Sequence, residues 1–196
     1  MVSMRGYVLS IWSLIDPIYY YCTRLTYLPR QGAESNIFRV RLTKYKGREI
    51  VLSDGTEIKK NDTLVKVHLH NVKLLKEIIH IKNEIKKAKI IYRHVQNSLP
   101  GLAEFIQRAD RSDEIKGVIG ITFLNKGCER LGFEVVDITS HIYKGFKWCT
   151  FLPIELISSG NSVRHILQHH SPKYLFMSKG KLLNLYGEKN KRKSCP

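Results

Sequence analysis

Paired cysteines are missing from this chain: Cys22, Cys128, Cys149 and Cys195 lie scattered through 196 residues with no Cys-x-x-Cys motif. That pattern argues against a zinc ribbon or a disulfide framework and fits a reducing cytosol. Acidic residues are scarce, 17 Asp and Glu against 33 Lys and Arg, and the resulting formal charge of +16 implies a working environment that contains something anionic. Nucleic acid, phospholipid headgroups and anionic polymers all qualify. No apolar run approaches the roughly 20 residues that span a bilayer, because the most apolar stretch, Tyr7 to Cys22, is interrupted by Asp16-Pro17. The same stretch lacks the strong basic start and small-residue cleavage site of a secretory leader. No internal repeat is visible. What is present is an ordinary globular composition, 43% hydrophobic, sufficient for a sizeable core.

The N-terminal stretch has two readings. It is either a core helix ended or kinked near Pro17, or an interfacial helix with Trp12 and the tyrosines at headgroup level beside Arg5, Arg24 and Arg30. In the second reading Arg5, Trp12 and Arg24 form a membrane interface.

The segment Ser53 to Asn71 organises the rest of the chain. Asp54-Gly55 signals a hairpin with a two-residue type I′ turn, and Lys60-Asn61-Asp62 signals a second turn. From Thr63 the chain alternates, with Val65, Val67 and Leu69 on one face and Leu64, Lys66, His68 and His70 on the other. An earlier strand, Ile37 to Tyr45, sets Phe38, Val40 and Leu42 against Arg39, Arg41 and Thr43, and Lys46-Gly47 turns it into Glu49 to Leu52. Together these read as a small antiparallel meander.

Asn71 is expected to cap a long helix. Leu74, Ile78, Ile81, Ile85, Ala88, Tyr92 and Val95 recur at alternating spacings of four and three, which predicts one buried seam. Lys76, Lys82, Lys86, Lys87 and Lys89 fall on the opposite side, and Lys82, Lys86, Lys87 and Lys89 are the candidate anion-binding residues. Ser98 with Pro100-Gly101 is expected to end this helix and to start a shorter one through Leu102, Phe105 and Ile106.

At Gly117 the character changes. GVIGITFL reads as a strand covered on both faces, Asn125 to Leu131 as a short helix, and Phe133 to Ile138 as the next strand. Phe146 to Phe151 and Lys173 to Met177 predict further strands, and Ser162 to His170 a short helix before Ser171-Pro172. The expected class is α+β: a small antiparallel meander with a long packed helix, followed by a mixed α/β half. The expected layout is one domain over 1–196, with an apolar helix at 5–22, meander and long helix at 37–97, the α/β half at 99–187 and a frayed basic tail at 188–196.

The stretches RGYVLSIWSLIDPIYY with RLTYLP, LSDGTEIKKNDTLVKVHLHN and SPKYLFMSKGKLLNLYG resemble the bacterial YkoP-like family over nearly the whole chain. Members of that family occur alone or after polysaccharide deacetylase domains and bring no catalytic residues to carry over. The resemblance therefore implies an envelope or carbohydrate context, with an envelope enzyme as partner, and no mechanism. A deacetylase domain would itself bring a metal-binding Asp-Asp pair, which this chain lacks, so it resembles the accessory part only.

Candidate chemistry is thin. His68 with His70 on a strand, and His165 with His169 on a helix, are two-ligand starts that lack a third ligand at motif spacing. Cys128 and Cys149 have no flanking signature of a nucleophile and read as buried, inert thiols. The order GVIGITFL, short helix, LGFEVVD resembles the closing part of an acyl-CoA-dependent acetyltransferase, but Asn125-Lys126-Gly127 offers one glycine where a pyrophosphate-cradling turn would have two. Nucleic-acid binding has the charge in its favour and no recognisable motif, because the tyrosines cluster at the N-terminus instead of among the basic residues. The favoured expectation is a non-catalytic or accessory protein of envelope or lipid-linked saccharide metabolism. It is expected to need no cofactor or metal and to be cytoplasmic and peripheral to an anionic membrane surface. An acyl-CoA-dependent acyltransferase-like enzyme and a basic nucleic-acid-binding protein are the alternatives.

Overall fold

Two matched strands of seven residues anchor the architecture, β2 (Phe38–Lys44) and β5 (Thr63–Leu69), paired antiparallel from Phe38 opposite Leu69 to Lys44 opposite Thr63. The computed structural model describes residues 25–28, 36–122, 127–138 and 173–187, together with the helical positions Ser10, Ser13, Leu14, Pro17 and Tyr21. The expected strand at 146–151 and helix at 162–170 lie outside the described residues.

The chain between β2 and β5 leaves the sheet. β3 (Ile50–Val51) and β4 (Glu57–Ile58) pair only with each other, as a separate two-stranded hairpin. The expected meander is thus corrected: its outer strands meet directly and the hairpin between them folds aside. Its turn also differs from type I′, which requires positive φ at both central residues. Among the described non-glycine residues only Asn61 has positive φ (72°), so Asp54 does not, whereas Gly55 stands at φ 81°. The Gly55 N–H donates to the Leu52 carbonyl at 2.9 Å and the Leu52 N–H to the Thr56 carbonyl at 3.0 Å, a longer loop in which one left-handed residue suffices. Asn61 provides the second predicted turn, its N–H donating to the Tyr45 carbonyl at 2.8 Å.

The main sheet has six strands in the order β1-β2-β5-β6-β8-β7, completed by β1 (Thr26–Tyr27), β6 (Ile115–Thr122), β7 (Glu134–Asp137) and β8 (Lys173–Ser178). β5 and β6 are parallel and every other pair is antiparallel, so the fold is α+β with one mixed sheet. The two halves anticipated from the sequence share this sheet. Gly117 fits where β6 passes β8, since a Cβ there would lie 2.5 Å from the Met177 carbonyl oxygen.

Parallel strands need a crossover. Here it consists of α1 (Asn71–Ile78) and α2 (Glu84–Arg108). The predicted single helix is therefore two. His70, not Asn71, holds the N-cap position of α1, without a side-chain bond, and the true cap is Asn83, whose side chain accepts from the Lys86 N–H at 3.0 Å to start α2. The predicted stop at Pro100 is also absent. A proline inside a helix costs about 3 kcal/mol, but fully burying an aliphatic side chain contributes about 1.5–3 kcal/mol, and Leu99, Leu102 and Ile106 around it are each 0% exposed. Burial wins.

The sheet has a core on each face. Phe38, Val40, Val65, Val118 and Met177 pack with the second half of α2 and with Leu182 of α3 (Lys179–Tyr186). On the other face Leu64, Ile119 and Phe176 pack with Tyr45, Leu52 and Ile58, so the hairpin is the lid of a second, smaller core. Helix α3 was not anticipated. Ser178 starts it, its hydroxyl accepting from the Lys181 N–H at 3.0 Å.

Candidate functional site

The four candidate anion-binding residues differ in exposure. Lys82, Lys86 and Lys89 are exposed, while Lys87 is buried and bonded to Glu84 at 2.7 Å, so it leaves the exposed basic face. The predicted seam holds in part: Tyr92 and Val95 pack against the core, in line with the buried Leu99, Leu102 and Ile106, whereas Ile85 is 70% exposed and Ala88 is also exposed, just after the break at residues 79–83. Residues 85, 86, 89 and 93 follow the spacing of one face of α2, and all four, like Lys82 in the break before it, are exposed. The result is a cationic stripe with one large apolar side chain in it.

The acids nearest this stripe are turned to structural pairs. Glu84 holds Lys87, and Glu77 of α1 meets His94 of α2 at 2.6 Å, tying the two helices together. Leu75 and Ile78 of α1 pack with Ile90 and Ile91 of α2 beneath them. The corner between the helices is thereby fixed, and its outer surface carries Lys82, Ile85, Lys86 and Lys89.

Arg5, Trp12 and Arg24 lie outside the described residues. Of the N-terminal stretch, Leu14 is 76% and Tyr21 85% exposed. No described helix is long and apolar enough to cross a membrane.

A second polar cluster lies where the hairpin meets β7 and α3. The Ser53 N–H donates to both Glu134 oxygens at 3.0 Å and its hydroxyl to Oε1 at 2.6 Å, with the Lys181 ammonium 3.5 Å from the same oxygen. The Ser178 hydroxyl donates to Asp54 Oδ2. Burial works to raise the Asp54 pKa, but the hydrogen bonds from Ser178 and Thr56, with the Lys181 charge, outweigh it and hold the carboxyl below its ordinary value. With Lys181 held by Glu134 and Ser178 1% exposed as a helix cap, the arrangement clasps the hairpin.

His68 and His70 lie on β5 and at the α1 N-cap; His165 and His169 are outside the described residues. Among the described residues no three His, Cys, Asp or Glu side chains gather as a metal site. Burial, with Glu129 adding to it, pushes the Cys128 thiol up to about 11, so it is protonated at neutral pH. Cys149 lies outside the described residues. Of the short helix expected at 125–131, the described residues form a 3₁₀ helix, Cys128–Leu131, between Gly127 and Gly132, and residues 125 and 126 lie outside the described residues.

Comparison with known proteins gives a consistent result. A family profile described as the YkoP domain matches residues 5–186. A protein of Bacillus subtilis (strain 168) described as "Uncharacterized protein YkoP" is 46% identical over 188 residues, which cover 95% of this chain and 100% of that protein. No solved structure matches.

Proposed function

From the premise that this chain belongs to the YkoP family, we propose that it is an accessory protein of the bacterial envelope, held reversibly on an anionic membrane surface where lipid-linked saccharides are handled. The observation that carries the membrane part is the exposed stripe at the start of α2: Ile85, 70% exposed, stands beside Lys86 and Lys89, with Lys82 just before the helix and Arg93 further along. Cations near an anionic leaflet contribute about 1 kcal/mol each, and an apolar side chain among them adds burial in the interface. Exposed Leu14 and Tyr21 of the N-terminal stretch support the same reading. The saccharide part rests on the family resemblance and on an envelope enzyme as partner.

Vesicle co-sedimentation tests the membrane part. The protein should pellet with vesicles containing anionic lipid at low salt, remain soluble with neutral vesicles, and release as salt shortens the Debye length, about 8 Å at physiological ionic strength. Lys86→Glu/Lys89→Glu should abolish pelleting and Ile85→Ala should weaken it. A wild-type protein that stays in the supernatant with anionic vesicles at low salt refutes the proposal.

A further inference from the structure

The parallel pair at the centre of the sheet comes apart. β5 and β6 are in register from Thr63 opposite Ile115 to Lys66 opposite Ile119 and pair no further, although β5 runs on to Leu69 beside β2 and β6 to Thr122 beside β8. Exposure changes at the same point. Thr63 to Val65 and Gly117 to Ile119 are buried, whereas residues 66–69 of β5, 120–122 of β6 and 173–175 of β8 are half-buried. The end of the sheet alone does not explain this, because Phe38, Arg39 and Val40, opposite the same part of β5, are buried. The sheet therefore opens between two of its central strands.

The backbone and the side chains at this opening are both unusual. The His70 N–H donates to the Ile37 carbonyl at 2.8 Å, so in this antiparallel register Lys66 and His68 turn their backbone groups to β2, while Val67 and Leu69 turn theirs to the gap. Across the gap stands Gly120, which the ladder from Val65 and Val118, if continued, would set opposite Val67. The glycines of β6 differ in what surrounds them. At Gly117 a Cβ would lie 2.5 Å from the Met177 carbonyl oxygen, which excludes any side chain, but at Gly120 the nearest atom would be the Leu175 Cβ at 3.8 Å, an ordinary contact. Glycine weakens a strand, and inside one it marks the close approach of another backbone or of a ligand. The packing of the sheet requires the first glycine and not the second.

We propose that the gap between β5 and β6 beside Gly120 binds an unbranched chain of secondary amides, as in the β-alanyl-cysteamine end of a pantetheine carrier. The gap lies at the carboxyl ends of two parallel strands, where their connections lead away and where sheets of this kind hold their ligands. Residues 67–69 and 120–122 give it a length of about 10 Å, enough for two amides to meet the backbone groups of Val67 and Leu69 as an added strand would. A peptide fits less well, since its side chains alternate between faces, and Val67, Leu69 and Leu175 already pack with the core on the α2 side. The formal charge of +16 suits the phosphates that such a carrier brings. The site does not rest on the membrane reading, because it uses none of the residues of the α2 stripe.

The probes are D-pantetheine and coenzyme A, titrated into the full chain and followed by backbone amide NMR, with adenosine 3′,5′-bisphosphate as the anion that lacks the arm. Both arm-bearing probes should shift the resonances of Val67, Leu69, Gly120 and Ile121, and the bisphosphate should leave them in place. Gly120→Val puts into the opening a branched side chain that strands favour, so it should keep the wild-type melting temperature and weaken coenzyme A binding about tenfold or more by calorimetry, with Gly120→Ala in between. The wild-type titration stands whether or not that variant folds. Lys86→Glu/Lys89→Glu, which removes the helical stripe, should leave the pantetheine shifts unchanged. Coenzyme A binding by Gly120→Val equal to that of the wild type overturns the proposal, as do resonance shifts confined to residues elsewhere. Shifts of the same residues by the bisphosphate would make the ligand a plain anion, and shifts by a capped dialanine but not by pantetheine would make it a peptide; either result also overturns it.

Discussion

The two halves of α2 share one backbone and little else. From Glu84 to Asn97 the helix buries a single residue, Lys87, and shows solvent a row of cations around Ile85; from Ser98 onward it buries Ser98, Leu99, Gly101, Leu102, Ala103 and Ile106. The second half contains the helix breaker and holds the core, while the first half has strong helix formers and an open surface. Helical continuity therefore comes from the sheet it covers at one end and from a good cap and the packing of Ile90 and Ile91 on α1 at the other. A function that needs an exposed, rigid platform is well placed on such an overhang.

The contrast predicts a large asymmetry in stability. Leu102→Ala, at 0% exposure among Leu99, Ile106 and the sheet, should cost about 2–5 kcal/mol in denaturant unfolding, whereas Ile85→Ala should stay within about 0.5 kcal/mol. Equal midpoints for the two would erase the distinction between the halves. The boundary itself can be probed at Ser98, whose hydroxyl accepts from the buried Ile37 N–H at 3.1 Å. Ser98→Ala strands that donor and should cost about 1–3 kcal/mol.

A smaller effect is expected within the exposed half. Lys87→Gln loses the bond to Glu84, which is itself 60% exposed, so screening limits the loss to about 1 kcal/mol. The least is expected of Lys86→Glu/Lys89→Glu, within about 0.5 kcal/mol by chemical unfolding although it should remove vesicle binding. A strong loss of stability in that double variant would mean that the stripe belongs to the core after all.

Much of the fold was legible in the sequence. Alternation located β2, β5 and β8, and the turn residues located Gly55 and Asn61. What failed was helix continuity and strand register. The heptad from Leu74 to Val95 looked continuous because the break at residues 79–83 happened to preserve the spacing, and the signal against it was Asn83, an N-cap residue directly before Glu84. Helix α3 escaped notice because its periodicity is weak and Gly180 lies in its first turn, so only Ser178 announced it. The cross-strand neighbours of Arg39 and Arg41, which are His68 and Lys66, could not be read at all. Arg39 and Arg41 were visibly on one face, but their meeting with His68 and Lys66 depends on the hairpin folding aside so that β2 reaches β5 in this register. No local pattern encodes that choice.

The strand order also constrains how the chain can be built. β8 lies between β6 and β7, so β7, complete at residue 137, finds its sheet neighbour only when residues 173–178 exist. During synthesis from the N-terminus, the far edge of β6 remains without its native partner from residue 122 until residue 173 is made. An open edge is a template for pairing with other chains, and at about 5–20 residues per second this interval lasts several seconds. A ribosome stalled between those points would hold a nascent chain in which β1, β2, β5 and β6 are made, β7 has no neighbour and the fifth place in the sheet is vacant, the stage at which a chaperone, or a second copy of the same chain, meets it.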